Sequence, residues 1–128
     1  MAAVPGQSAH FTTNTTSWQV LASDMTGYST LAAVTAAGKV PWPGLDSGMN
    51  LSTLAVKCEN GSSADGSPFY IAYNQGTAPI DDQAILVSGS GQTLVFNGVN
   101  LTHSGPMIKC IWVRKTVGTD EVILTPDY

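Results

Sequence analysis

The chain has few charged side chains, which make up 11% of its 128 residues against about 25% in an average soluble domain. Only five of them are Lys or Arg, and the formal net charge is −4. Nucleic-acid binding needs clustered basic side chains that face the phosphates. This composition therefore argues against a nucleic-acid partner. Small polar residues are abundant instead, with 12 Ser, 14 Thr and 13 Gly.

Groups that perform acid–base or metal chemistry are equally scarce. Neither His10 nor His103 has a Cys or a carboxylate at a metal-ligand spacing, and a structural zinc site needs four ligands. Asp81 and Asp82 form an acidic pair in a loop, but no EF-hand pattern surrounds them, so we interpret them as a solvated turn. The sequence predicts no catalytic residue, no cofactor and no metal site, and it favours a non-enzymatic protein.

Long hydrophobic runs are also missing, since no apolar segment approaches the ~18 residues of a membrane-spanning helix. We therefore expect no membrane partner. A chain of 128 residues and 13.3 kDa corresponds to one domain. Its length allows a hydrophobic core without disulfides or metals to hold it together.

Short alternating segments, separated by turns rich in Gly, Pro and Asn, run through most of the chain. We assign strands to residues 18–23, 28–35, 51–59, 69–74, 84–87, 92–96, 107–114 and 121–125. The second of these also suits a short helix, but Gly27 and Gly38 bracket it and we prefer a strand. Residues 39–50 contain two Pro and two Gly, which predicts a long loop. About eight short strands at this spacing predict an all-β fold, a single antiparallel β-sandwich or jelly-roll-like domain.

The first sixteen residues lack a helical or a strand period. We expect residues 1–16 to form an extended N-terminal arm and residues 17–128 to form the sandwich. Such an arm is either a disordered tail or a segment that docks on a neighbouring subunit.

The two cysteines, Cys58 and Cys110, lie on the apolar faces of two alternating segments. Across a core they suit a disulfide, and they also suit two free buried thiols, which behave as small hydrophobic side chains. The redox compartment decides between these alternatives, and the sequence leaves both open.

Aromatic side chains are the main candidates for surface binding. Trp18 and Trp112 are in register with core positions, which favours packing. Tyr70 alternates with Phe69 and is predicted to face outward, and Trp42 lies in the Pro-rich loop. Trp42 and Tyr70 are therefore the predicted surface-binding residues. Aromatic side chains with a polar rim are typical of glycan-binding β-sandwiches, so a glycan is the ligand they suggest.

From Leu51 onward the order of segments matches a known type of protein. LAVKCEN is followed by the turn NGSSADGS, and then by FYIAYNQGTAP and AILVSGSGQTLVF. The chain closes with LTHSGPMIKCIWVRKTVGTDEVILTPDY. Residues 51–128 resemble small bacteriophage virion accessory proteins, of the capsid decoration (cement) or tail-accessory type. The first half of the chain departs most from this pattern.

The resemblance implies a structural protein on the outer capsid or tail surface of a virion. Its partners would be the major capsid protein and copies of itself, as a homotrimer, and no catalytic or binding residue carries over. Two other functions fit the sequence. One is a carbohydrate-binding, lectin-like module. The other is a fibre or fimbrial surface subunit, which predicts an intact bridge between Cys58 and Cys110.

Overall fold

The computed structural model describes residues 9–12, 16–42, 53–59, 68–87, 92–95, 110–116 and 121–127. Within these ranges there are nine strands, one α-helix and one 3-10 turn. The elements are β1 (Ala9–Thr12), β2 (Gln19–Leu21), β3 (Gly27–Tyr28), α1 (Leu31–Ala36), β4 (Thr53–Glu59), β5 (Phe69–Tyr73), the 3-10 turn Asp81–Gln83, β6 (Ile85–Val87), β7 (Gln92–Val95), β8 (Ile111–Lys115) and β9 (Glu121–Asp127).

The strands form two antiparallel sheets, which confirms the predicted all-β, sandwich-like fold. The four-stranded sheet has the order β1-β9-β4-β7, and the five-stranded sheet has the order β3-β2-β8-β5-β6. β9 pairs with β4 from Glu121↔Glu59 to Asp127↔Thr53. The C-terminal strand therefore lies inside its sheet, between β1 and β4.

The main core lies between the two sheets, because each strand turns every second side chain inward. The four-stranded sheet contributes Ala9, Phe11, Val56, Val122 and Leu124, and the five-stranded sheet contributes Leu21, Phe69, Ile71, Val87, Ile111 and Val113. Lys115 also lies at an inward position and is fully buried. Its ammonium nitrogen is 5.8 Å from the centroid of the Phe69 ring.

A second core lies on the outer face of the five-stranded sheet, which is the face turned away from the four-stranded sheet. It is made of Val20, Ala22, Val34, Ala72, Cys110 and Trp112. Val34 belongs to α1, so the helix packs on this face and covers part of it. β8 is therefore buried on both sides over Ile111, Trp112 and Val113, which explains the continuous apolar run at its start.

The strand predicted over residues 28–35 is wrong, because the chain forms α1 there. Thr30 caps the helix, since its Oγ1 accepts a hydrogen bond of 3.0 Å from the backbone N–H of Ala33, and the following LAAVTA run has good helix propensity. Gly38 follows the helix with φ at +74°, a conformation that favours glycine. The strand assignment treated Gly38 as a turn residue. In the structure Thr30 begins the helix and Gly38 follows its end.

The segment 1–16 also differs from the expected separate arm. Residues 9–12 form β1, which pairs with β9 from Ala9↔Leu124 to Thr12↔Glu121. Ala9 and Phe11 are buried in the main core, so this stretch belongs to the sandwich. The polar Thr/Asn run that follows residues 9–12 hides this short stretch in the sequence. Residues 1–8 and 13–15 lie outside the described part of the chain.

Candidate surface for ligand and partner binding

One row of side chains crosses the outer face of the five-stranded sheet beside the area covered by α1. Tyr70 on β5 pairs with Arg114 on β8. Trp18 precedes Gln19, which pairs with Val113, so Trp18 is level with Arg114. Because these positions alternate with core positions, all three side chains point away from the main core. We call Trp18, Arg114 and Tyr70 the outer-face row.

The side chains of the outer-face row contact one another. The ring centroids of Trp18 and Tyr70 are 6.5 Å apart with an interplanar angle of 51°. The guanidinium carbon of Arg114 lies 4.7 Å from the centroid of the Tyr70 ring, which is a cation–π contact. All three residues are partly exposed, so their surfaces remain accessible to a ligand.

An acidic residue from a distant part of the sequence holds Arg114 in place. Nε and Nη2 of Arg114 donate to the two carboxylate oxygens of Asp81, at 2.9 and 2.6 Å. This geometry is bidentate and directional. A third donor, Nη1, bonds the carbonyl of Lys115 at 3.1 Å. Asp81 opens the 3-10 turn, which the side chain of Gln83 braces by accepting from the N–H of Ile80 at 3.0 Å.

The hydrogen bonds from Arg114 lower the pKa of Asp81. A pKa that is lowered in the folded protein means that the ionised pair contributes stability above the pKa of the unfolded chain. That contribution is lost as the pH falls through the folded pKa. We predict that Arg114→Lys, which replaces the planar fork with a point charge, moves the pKa of Asp81 back toward its ordinary value. A carbon-13 NMR titration of the Asp81 carboxyl group measures this. Equal midpoints in both proteins would contradict the assigned pair.

The end of the sheet next to the outer-face row is fixed by hydrogen bonds to one carbonyl. The indole N–H of Trp112 donates to the carbonyl oxygen of Gln75 at 2.8 Å, and the Sγ of Cys110 lies 3.5 Å from the same oxygen. Asn74 and Cys110 are also linked, because the N–H of Asn74 donates to the carbonyl of Cys110 at 3.0 Å. These bonds lock β5 to β8 beneath the surface.

Cys110 is a free, buried thiol in the structure. This agrees with the free-thiol alternative at this position and gives no support to the disulfide with Cys58. Cys58 lies on β4 in the other sheet, and its side chain is outside the described part of the structure.

Burial raises the pKa of the Cys110 thiol, and alkylation requires the thiolate. We predict that Cys110, isolated in a Cys58→Ser variant, reacts with iodoacetamide at mildly alkaline pH about tenfold or more slowly in the folded than in the unfolded protein. Mass spectrometry of quenched samples gives both rates. Equal rates in the two states would show that the thiol is accessible.

Trp42 does not provide the surface predicted for it. Its side chain is 2% exposed and packs in the main core, where its ring meets Phe11 edge-on at 5.3 Å. The backbone explains this position, because the N–H of Trp42 donates to the carbonyl of Leu21 at 2.9 Å. Pro41 also forms an isolated antiparallel β-bridge with Ala22. The described start of the Pro-rich segment, residues 39–42, therefore lies beside the end of β2, and this position directs the indole inward.

The free edge of the five-stranded sheet carries a group of exposed apolar side chains. Ile80, Ile85 and Leu86 are 62%, 41% and 50% exposed. β6 pairs with β5 on one side and ends the sheet among the described residues. Leu86 lies opposite Tyr70, so this edge borders the outer-face row. We call Ile80, Ile85 and Leu86 the edge patch.

Metal and acid–base sites are not apparent among the described residues. No three His, Cys, Asp or Glu side chains there lie close enough together to hold a metal ion. Asp82 lies in the 3-10 turn and is exposed, whereas His103 is outside the described part. No described helix is long and apolar enough to cross a membrane.

Sequence reasoning identified part of this surface. The outward direction of Tyr70 followed from alternation along β5 and agrees with the structure. The pairing of Arg114 with Asp81 joins residues 33 positions apart and has no local signal. Trp18 was assigned to packing, and it does pack against the second core, but it also contributes its ring to the row. The edge patch depends on strand order, which one sequence does not reveal.

No family model, curated protein or solved structure gives a significant match to this chain.

Proposed function

We propose that the protein is a non-enzymatic bacteriophage virion structural protein, a capsid decoration (cement) protein that binds coat subunits and copies of itself on the outer surface. The edge patch is the observation that supports this proposal best. Three of the five large hydrophobic side chains that are exposed in the described structure lie there. Because Ile85 and Leu86 are consecutive on β6, they point to opposite faces of the sheet. Apolar side chains are therefore exposed on both sides of this edge, which favours a contact along the edge.

The edge patch suits assembly because β6 ends its sheet among the described residues. Natural proteins protect sheet edges with Lys, Pro, bulges or very short edge strands. β6 is short, but its three residues, Ile85, Leu86 and Val87, include no Lys and no Pro. A strand added from another subunit would cover the exposed backbone and the apolar side chains together. Burial of apolar area stabilises by roughly 25 cal/mol per Å² before the costs of association. The homotrimeric state that we propose for the assembly is what the resemblance of residues 51–128 to phage virion accessory proteins implies.

The fibre-subunit alternative has less support, since it predicts a bridge between Cys58 and Cys110 and the Cys110 thiol is free. The glycan-binding alternative concerns the outer-face row, whose Tyr70 lies opposite Leu86 of the edge patch.

The test of cementing compares particles with and without this protein. Particles from a deletion strain should release their genome at a lower temperature than complete particles, and addition of the purified wild-type protein should restore the original resistance. Dye uptake during heating measures release. Equal resistance of both kinds of particle would contradict a cementing role.

A further inference from the structure

The outer-face row combines aromatic surface with an ion pair that carries no net charge. Trp18 and Tyr70 present ring surface, and Arg114 and Asp81 cancel each other's charge. We infer that this row, together with Asp81, is a binding site for a neutral oligosaccharide. The inference does not depend on the proposed cementing role, because it uses the outer-face row and Asp81 and none of the three side chains of the edge patch.

The aromatic rings suit the apolar side of a sugar. A pyranose ring exposes a patch of C–H groups on one face, and an aromatic ring with a polar tip is a suitable partner for such an amphipathic ligand. The ring planes of Trp18 and Tyr70 are tilted by 51° to each other, so together they do not form a flat stacking surface. That shape fits a short oligosaccharide chain better than a planar ligand.

The polar groups around these rings match hydroxyl groups. Arg114 has five N–H donors, and three of them are used by Asp81 and by the Lys115 carbonyl. Two remain, and within the described residues neither the Tyr70 hydroxyl nor the Trp18 indole N–H makes a hydrogen bond. The Asp81 side chain is 46% exposed, so its oxygens have further acceptor capacity. A sugar hydroxyl both donates and accepts hydrogen bonds, so it can accept from the free Arg114 N–H groups and donate to the Asp81 carboxylate.

The charge balance selects among ligand classes. An anionic ligand such as a phosphate or a sialic acid would need an unpaired basic side chain, but the Arg114 fork already holds a carboxylate. A cationic ligand would meet the guanidinium group. A neutral polyol avoids both penalties, since charged partners are favoured only where the potentials are complementary.

Binding is tested on an array of neutral, sialylated and sulfated oligosaccharides, followed by NMR titration with a neutral ligand from the array. The chain has three Trp, so a nitrogen-15 spectrum shows three indole N–H signals, which Trp→Phe variants assign. The Trp18 signal should shift on titration. The signals of Trp42 and Trp112, both buried, serve as internal controls and should stay in place.

Two variants locate the site, and a third controls for general effects. Tyr70→Ala should weaken binding by about tenfold or more. Asp81→Asn, at an exposed position that the core does not depend on, should weaken it by at least about threefold. Tyr73→Ala is the matched control, because Tyr73 is an exposed tyrosine on the same strand but on the opposite face. It should change affinity by less than about twofold.

Three results would overturn the inference. The first is that the wild-type protein binds no neutral oligosaccharide, or binds only sialylated or sulfated ones. The second is a shift of the Trp42 or Trp112 signal in place of Trp18. The third is equal weakening by Tyr73→Ala and Tyr70→Ala in variants whose spectra show a folded protein.

Discussion

Replacement of Trp42 by Ala should lower the free energy of unfolding by about 3–5 kcal/mol, the usual cost of removing a buried tryptophan. The indole is 2% exposed and its ring packs edge-on against Phe11 at 5.3 Å. The substitution leaves a cavity between the sheets, next to the strand pair β1–β9. Since domains are stable by only about 5–15 kcal/mol, this loss should be evident in a urea unfolding curve.

Trp18→Ala is the matched control for this prediction. Trp18 is only partly buried and packs against the edge of the second core, so less apolar surface is lost and the destabilisation should be less than half as large. A Trp42→Ala protein as stable as the Trp18→Ala protein would contradict the assigned position of Trp42. That result would instead agree with the sequence-based prediction that Trp42 is a surface residue.

Leu86→Lys should abolish self-association while the subunit stays folded. Leu86 is 50% exposed on the edge strand, so its replacement costs the isolated subunit little. A lysine on an edge strand prevents the addition of a further strand, because its charge would have to be desolvated. Light scattering after size exclusion should give about three times 13.3 kDa for the wild type. The variant should have the mass of one chain.

Val40→Lys controls for the added charge. Val40 is another exposed hydrophobic residue, at 45%, and it lies next to Pro41, which bridges to Ala22 beside β2, away from the edge patch. This variant should keep the wild-type mass. If both lysine variants dissociate, or neither does, the edge patch is not the contact between subunits.

The strands of the second half of the chain were predictable because the longer ones alternate over several residues, whereas the short apolar segment 84–87 and segment 92–96 are bounded by turn residues. The bounds of β4, β5, β6, β7 and β9 all lie within two residues of the predicted segments. β8 ends one residue beyond its predicted segment, and residues 107–109 of that segment lie outside the described part of the chain. α1 was not predicted, although Thr30 and Gly38 give its two end signals. Its apolar residues also fit a strand. The packing of Val34 on the outer face of the five-stranded sheet favours the helix, and one sequence does not reveal this contact.

The direction of a loop residue was the hardest feature to predict. Proline and glycine predict a loop over residues 39–50, of which residues 43–50 lie outside the described part of the chain, but they do not indicate which way Trp42 points. That direction is set by the bond between its N–H and the carbonyl of Leu21, a contact between segments. The same reason applies to Arg114 and Asp81, whose pairing depends on how β8 and the 3-10 turn come together.

Quantitative mass spectrometry of purified particles tests the proposed virion role most directly. Particles from a lysate in which the chain is expressed are separated on a density gradient, washed with salt and digested, and the peptides are counted against those of the coat protein. The proposal predicts peptides of this chain in the particle fraction at a constant ratio to the coat protein. Peptides found only in the soluble fraction, with none in the washed particles, would contradict it.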